Sequence, residues 1–161
     1  MTSPVLFDDA RRRLAGAPRE SLGLEVEPRR ILGIGRGPRI TPAGAAWHLG
    51  VLLIGDDAVF ATGEILRSHA EVRRGYTADS QRVRAARSAA AFRGGFPEGA
   101  TVHVGWRMLD PSASTTGEAS LPLAIVDGVP SVRWSAAGGF MPLARYLDER
   151  IALLTDPAHG A

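Results

Sequence analysis

The longest stretch of strand-like hydrophobic positions lies between Trp47 and Arg67, where two apolar runs flank a short polar break. In the first run, Trp47–Ile54, residues that would point to either side of a strand are apolar, which is typical of a strand covered on both faces. The second run, Ala58–Arg67, becomes polar near its end, and Gly55-Asp56-Asp57 between the runs is a turn signal. The pattern therefore predicts a central hairpin.

Three further strand regions follow from the same kind of pattern. The cleanest alternation predicts one strand over Thr101–Leu109, with His103 and Arg107 on the same face. A second hairpin is predicted over residues 121–135, because Asp127-Gly128 separates two apolar runs and both residues tolerate a positive φ. A short edge strand is predicted at Ile31–Ile34, inside a segment rich in Gly, Pro and Arg.

Helical spacing predicts three helices, over residues 3–16, 78–93 and 142–154. Ser3 as N-cap and Pro4 at the first helical position suit the start of the first helix, Thr77 suits the cap of the second, and Gly94-Gly95 suits its end. The positions predicted to face the core are Phe7, Ala10, Leu14, Val83, Ala86, Ala90, Leu143, Leu147, Ile151 and Leu154.

Strands clustered as hairpins with segregated helices indicate an α+β fold, with a mainly antiparallel sheet built from two hairpins and about three helices packed on it. A length of 161 residues predicts one domain, 1–161, and we expect the tail 155–161 to be frayed. One core is predicted to contain residues from the central hairpin, the strand Thr101–Leu109 and the last helix: Trp47, Leu49, Val51, Val102, Val104 and Leu147.

Composition excludes several kinds of chemistry. The chain contains no Cys and no Lys, and all 19 basic residues are Arg. Disulfides, thiolate catalysis, a Schiff-base lysine and a Ser-x-x-Lys nucleophile pair are therefore impossible. With 17 acidic residues the net charge is only +2, so the high isoelectric point does not indicate nucleic acid, which we do not expect as a partner.

The sequence also predicts no association with a membrane. Its longest apolar run is far shorter than the roughly 20 residues that a membrane span needs. The first residues, Met1-Thr2-Ser3-Pro4, lack a basic segment followed by an apolar one, so we expect no signal peptide and a cytoplasmic location.

His103 and Ser135 are the candidate catalytic residues. An imidazole that shares a strand face with Arg107 suits acid–base catalysis on an anion, and a solvated strand face without a role is the alternative. Ser135 precedes Gly138 and Gly139, whose backbone N–H groups suit an anion or an oxyanion. A plain tight connection is the alternative there, since the sequence places no base beside Ser135.

Candidate ligand-binding residues are the basic and glycine positions Arg73, Arg74, Arg107, Gly138 and Gly139. The four histidines have no second His, Asp or Glu at metal-ligand spacing on a helix, and His48 within a core strand suits a buried imidazole. We therefore predict no metal site and no cofactor, and the expected partner is another protein or a small anionic ligand.

Four stretches carry a resemblance to a known family: Arg36–Thr41, Trp47–Leu53, Ala90–Phe96 and Val132–Gly139. They resemble a family of short, uncharacterised bacterial proteins, some of which are named glutaminase. The resemblance implies hydrolysis of an amide, and it transfers no established catalytic motif onto this chain. The residues themselves favour a binding or interaction module without a catalytic constellation, and a small amide hydrolase is the alternative.

Overall fold

The computed structural model describes residues 1–28, 37–72, 75, 78–113 and 117–157. This part of the chain contains three helices and ten strands in two sheets, mostly antiparallel, so the α+β prediction is confirmed. In chain order the elements are α1 Ser3–Leu14, β1 Glu20–Val26, β2 Arg39–Leu49, β3 Leu52–Ile54, β4 Val59–Ala61, β5 Glu64–Arg67, α2 Asp79–Arg93, β6 Thr101–Val104, β7 Arg107–Leu109, β8 Leu123–Val126, β9 Val129–Arg133, β10 Phe140–Pro142 and α3 Leu143–Thr155.

The chain divides into two compact units, each with its own hydrophobic core. The first unit comprises Met1–Arg19, Ala46–Thr62 and Arg107–Ala161, and the second comprises Glu20–Ala45 and Gly63–Trp106. The expectation of a single shared core is therefore wrong, since Val102 and Val104 belong to the core of the second unit. That the whole chain acts as one domain stays a prediction.

In the first unit the predicted faces of α1 and α3 are confirmed. Phe7, Ala10 and Leu14 of α1 are buried, and they share a core with α3 and the strand order β2-β3-β4-β7. The α3 residues in this core are Leu143, Tyr146, Leu147 and Ile151, whereas Leu154 is only partly buried. The predicted side-chain cap of α1 is wrong, because Thr2 holds the N-cap position and makes no side-chain hydrogen bond there.

The apolar run Trp47–Ile54 is not one strand, because the chain turns at Gly50 and Val51. Strands β2 and β3 pair antiparallel with Leu49 opposite Leu52, and Gly50 has a φ of +63°, which favours glycine. The Tyr146 hydroxyl donates to the Leu49 carbonyl at 2.7 Å and accepts from the Val51 N–H at 2.8 Å. A two-residue hairpin therefore stands where the pattern predicted a continuous strand, and α3 braces it.

The second predicted run, Ala58–Arg67, is also two strands. Strand β4 pairs with β3 and β7 in the first unit, whereas β5 pairs with β6 in the second unit. Between them, a Cβ atom at Gly63 would collide with the carbonyl oxygen of Val104, so this close approach of two backbone segments requires glycine.

The second unit contains a strand that the sequence pattern did not predict. Strand β1 pairs parallel with β6, and the order of strands in this unit is β5-β6-β1-β2. The predicted strand Thr101–Leu109 is wrong as a single element, because Gly105 at φ +65° ends β6 before β7 begins. The core of the second unit contains Ile40, Leu66, Ala90, Ala91, Phe96, Val102 and Val104.

Helix α2 has the predicted length but not the predicted face. It buries Ser88, Ala89, Ala90 and Ala91 near its C-terminal end. Val83 and Ala86, predicted to face the core, are exposed, while Ala90 is buried as predicted. Gly94 ends the helix as predicted, and its N–H donates to the Ala90 carbonyl at 3.0 Å. The predicted cap, Thr77, lies outside the described residues.

The second hairpin is confirmed at its turn. Strands β8 and β9 pair antiparallel with Val126 opposite Val129, and the two residues between them, Asp127 and Gly128, have φ of 49° and 78°. This is the geometry that Asp-Gly favours. Strand β10, which the sequence did not predict, adds to the other side of β9. The predicted edge strand Ile31–Ile34 lies outside the described residues, and so do residues 158–161 of the predicted frayed tail.

Candidate functional site

Ser135 follows β9 in the first unit and is half-buried. It lines a small groove of about 280 Å³ whose polar members also include Thr62 and Arg133. Among the described residues that line this groove there is no His, Asp or Glu. A serine nucleophile needs a base that takes its proton, and this groove supplies none.

The glycine turn after Ser135 is held by its own contacts. The Gly138 N–H donates to the Ser135 carbonyl at 3.3 Å, and an Arg133 guanidinium nitrogen donates to the Ala136 carbonyl at 2.6 Å. A Cβ atom at Gly138 would come close to the Trp134 ring and would collide with the Ser135 hydroxyl unless that side chain rotated. The predicted anion donor at Gly138 is therefore already engaged within the turn, and Gly139 is exposed beside it.

His103 lies on β6 in the second unit and is fully buried, with 0% of its surface exposed. Its Nε2 atom makes a short hydrogen bond with the Glu20 carboxylate of β1, on the parallel neighbour strand. The alternative that His103 sits on a solvated strand face is wrong. The two candidate catalytic residues belong to different units, since Ser135 lies in the first unit.

Arg107 does not share a strand with His103, because it begins β7 in the first unit. It is exposed, and its guanidinium donates to the carbonyl oxygens of Ala119 and of Leu121, the latter at 2.6 Å. These bonds tie the segment before β8 to β7. Arg73 and Arg74, the other candidate ligand-binding arginines, lie outside the described residues.

A larger groove in the second unit was not predicted as a site. It has a volume of about 1000 Å³ and lies between the segment His69–Val72 and helix α2. We call it the basic groove. Its charged and polar lining residues are His69, Glu71, Gln81, Arg82, Arg84, Ser88 and Arg93. The sequence signal for it is the repetition of arginine along α2, which includes Arg82, Arg84 and Arg93.

The three arginines of the basic groove differ in how they are held. Arg82 pairs with Asp79 at 3.1 Å one turn earlier on α2, and both side chains are largely exposed. Arg93 donates to the Pro38 carbonyl at 3.0 Å and lies 3.8 Å from the Glu71 carboxylate. Within the described part of the chain, Arg84 makes no hydrogen bond or ion pair. Arg84 is thus the cation that is open to a ligand.

His69 lines the basic groove and is oriented by Glu98. Its Nδ1 atom lies 2.6 Å from one Glu98 carboxylate oxygen, and the other oxygen accepts the Ala70 N–H at 2.8 Å. These two hydrogen bonds lower the pKa of Glu98 below its ordinary value, and the one with His69 has the larger effect. Because an ionised carboxylate only accepts, Nδ1 carries the proton, which leaves Nε2 available as an acceptor when the ring is neutral.

Two carboxylate–imidazole pairs of the second unit offer metal-ligand atoms: Glu20 with His103, and Glu98 with His69. The absence of a metal and of a cofactor stays a prediction.

No protein-family model, curated protein or solved structure matches this chain. The family resemblance of the four sequence stretches therefore remains a prediction. In the described part of the chain, every helix is too short or too polar to cross a bilayer.

Proposed function

We propose that this protein is a cytoplasmic binding module whose ligand is an anion, and that the ligand binds in the basic groove of the second unit. The observation that carries the proposal is a groove of about 1000 Å³ whose described lining contains three arginines and one carboxylate, that of Glu71. A cavity of this size is at the upper end of the range that ligand sites occupy. Arginine binds carboxylates and phosphates through paired N–H donors.

The ion pairs already present in the basic groove do not prevent binding. Arg82 and Asp79 are both largely exposed, and an exposed ion pair contributes only about 0–1 kcal/mol. The guanidinium of Arg93 is 3.8 Å from Glu71, which is a loose contact. An incoming anion therefore replaces these intramolecular partners at small cost, while Arg84 loses none.

Isothermal titration calorimetry with inorganic phosphate, pyrophosphate and glutarate tests this proposal. We expect at least one of the three to bind, and Arg84→Gln to weaken its binding about tenfold, the equivalent of one charge-assisted hydrogen bond. Arg145→Gln is the matched control, since Arg145 is an exposed helix arginine of the first unit that pairs with Glu149. Equal affinities in the wild type and Arg84→Gln would show that the anion binds elsewhere.

The competing hypothesis is the amide hydrolase that the family resemblance implies. Ser135 lies in a groove and beside a glycine turn, which are two features of such a site. The described lining of that groove contains no base, however, and this favours binding over catalysis. We therefore expect no release of ammonia from glutamine above the uncatalysed rate. Release that Ser135→Ala abolishes, with the fold retained by circular dichroism, would establish the hydrolase.

A further inference from the structure

The basic groove is apolar as well as charged. Along α2 it is lined by Ala85, Ala86 and Ala89, and Val72 on the opposite wall is 54% exposed. Small alanine side chains allow another backbone to approach the helix closely, because interaxial distances between packed helices depend on the side chains at the contact. A purely ionic ligand, such as phosphate, would leave this apolar surface in water.

A second concave surface adjoins the first along the same helix. This side groove, of about 510 Å³, is lined by Glu64, Ser80, Gln81, Val83 and Arg84. Gln81 and Arg84 line both grooves, so they form the ridge between them. Val83 in the side groove is 60% exposed, and together with Val72 it is the largest aliphatic side chain in the described linings of the two grooves. The open surface thus extends around the N-terminal half of α2.

The openness of the two grooves taken together favours an extended occupant over a ligand that an enclosed pocket would surround. Small-molecule sites bury about 70–90% of the ligand surface, which requires enclosing walls. Here several lining side chains are largely exposed, among them Arg82 at 64%, Val83 at 60% and Val72 at 54%. An occupant that covers both grooves must therefore be extended, and it must carry negative charge opposite Arg82 and Arg84 together with apolar side chains opposite Val83 and the alanines.

We propose that the occupant is an acidic amphipathic helix of a partner protein, which packs along the N-terminal half of α2. This inference rests on the proposed function and names the class of anion. Charge complementarity carries it, since the two grooves combine three arginines with the apolar side chains of the alanines and Val83, and a helix with one acidic and one apolar face offers the matching chemistry. Single-stranded nucleic acid fits less well, because the described linings of both grooves contain no Phe, Tyr or Trp on which a base would stack.

Fluorescence anisotropy with three labelled peptides tests the inference. The first has 15 residues, the length of α2, with Leu at helical spacing and Glu at the other positions. The second has Lys in place of Glu, and the third has the composition of the first in an order without an apolar face. We expect saturable binding of the first peptide alone, at physiological salt.

Two variants separate the apolar contribution from the ionic one. Val83→Ser and Arg84→Gln should each weaken binding of the first peptide about fivefold or more, as expected of residues central to an interface. Val83→Ser should leave the binding of pyrophosphate unchanged, since that anion has no apolar part. Arg145→Gln should bind the peptide like the wild type, and circular dichroism confirms that each variant is folded.

Each of the other outcomes overturns a defined part of the proposal. Binding of pyrophosphate without binding of the acidic peptide contradicts this inference and leaves the proposed function standing. Absence of both contradicts both. Peptide binding that Val83→Ser leaves intact shows that the apolar contact at Val83 is not used. Dimerisation in sedimentation that Val83→Ser abolishes identifies a second copy of this chain as the occupant, and tighter binding of oligo-dT than of the peptide identifies nucleic acid.

Discussion

Helices α2 and α3 use different residues to hold their places. In α3 the buried residues are bulky and recur along the helix, namely Leu143, Tyr146, Leu147 and Ile151. In α2 they are small and contiguous, Ser88–Ala91, and they lie in one half of the helix only. Exposing a bulky apolar side chain to water costs free energy, so the spacing of such residues defines the buried face of a helix. Alanine is tolerated both in the core and at the surface, so alanines define no face. The half of α2 that is not needed for packing supplies all the α2 residues of the side groove, whereas Ser88, Ala89 and Arg93 of the other half line the basic groove alone.

The largest effect is expected in the core of the first unit. Leu147→Ala should lower the free energy of unfolding by about 2–5 kcal/mol, because Leu147 is buried and its truncation leaves a cavity. Leu153→Ala, on the exposed side of the same helix, should change it by less than about 0.5 kcal/mol. Urea unfolding measures both, and equal effects would mean that α3 has no defined core face.

The end of α2 gives the next effect. A Cβ atom at Gly94 would collide with the carbonyl of Ile40, a backbone atom that cannot rotate away. Gly94→Ala should therefore lower the free energy of unfolding by about 1–3 kcal/mol. Gly139→Ala is the control, because no atom lies within 4 Å of its Cβ position. If Gly94→Ala and Gly139→Ala have the same effect, the end of α2 is not packed closely against the Ile40 carbonyl.

A smaller effect concerns the polar contacts at the wall of the basic groove. The pKa of Glu98 is lowered by its hydrogen bonds with His69 and Ala70, so this contact stabilises the folded state above the unfolded pKa of Glu98. The stabilisation is lost as the pH falls through the folded pKa. His69→Gln should raise the Glu98 pKa, as followed by NMR titration of its carboxylate. An unchanged pKa would show that the backbone N–H of Ala70 holds the charge by itself.

The smallest effect is expected at Val83. Val83→Ala should change the free energy of unfolding by less than about 0.5 kcal/mol, because the side chain is exposed on α2. Val104→Ala, in the core of the same unit, should cost about 1–4 kcal/mol under the same urea conditions. A loss at Val83 as large as that at Val104 would place the N-terminal half of α2 in a packed interface.

Local sequence determined those elements that depend only on residues close together in the chain. The Asp127-Gly128 turn needs two residues that tolerate positive φ, and it is present as predicted. The core faces of α1 and α3 follow from bulky residues at helical spacing, and the end of α2 follows from Gly94-Gly95.

Tertiary contacts decided where the apolar runs break. A glycine in a run of apolar residues reads as a strand position, and only the docking of Tyr146 against Leu49 and Val51 requires the turn at Gly50. Gly63 likewise reads as part of a strand until the backbone of Val104 occupies the space beside it. Parallel pairing of β1 with β6 joins segments about 80 residues apart, for which no local pattern gives a register.

The candidate site was decided almost entirely by tertiary structure. His103 was singled out by its alternation with apolar residues, but alternation cannot tell a solvated face from one covered by another element, and His103 is buried against Glu20. The basic groove brings His69, which Glu98 orients, together with arginines of α2 that are distant from it in sequence. Composition limited the chemistry, because in a chain without Lys only Arg and His side chains can bind an anion through a positive charge. Which of these side chains line the same surface was determined by folding alone.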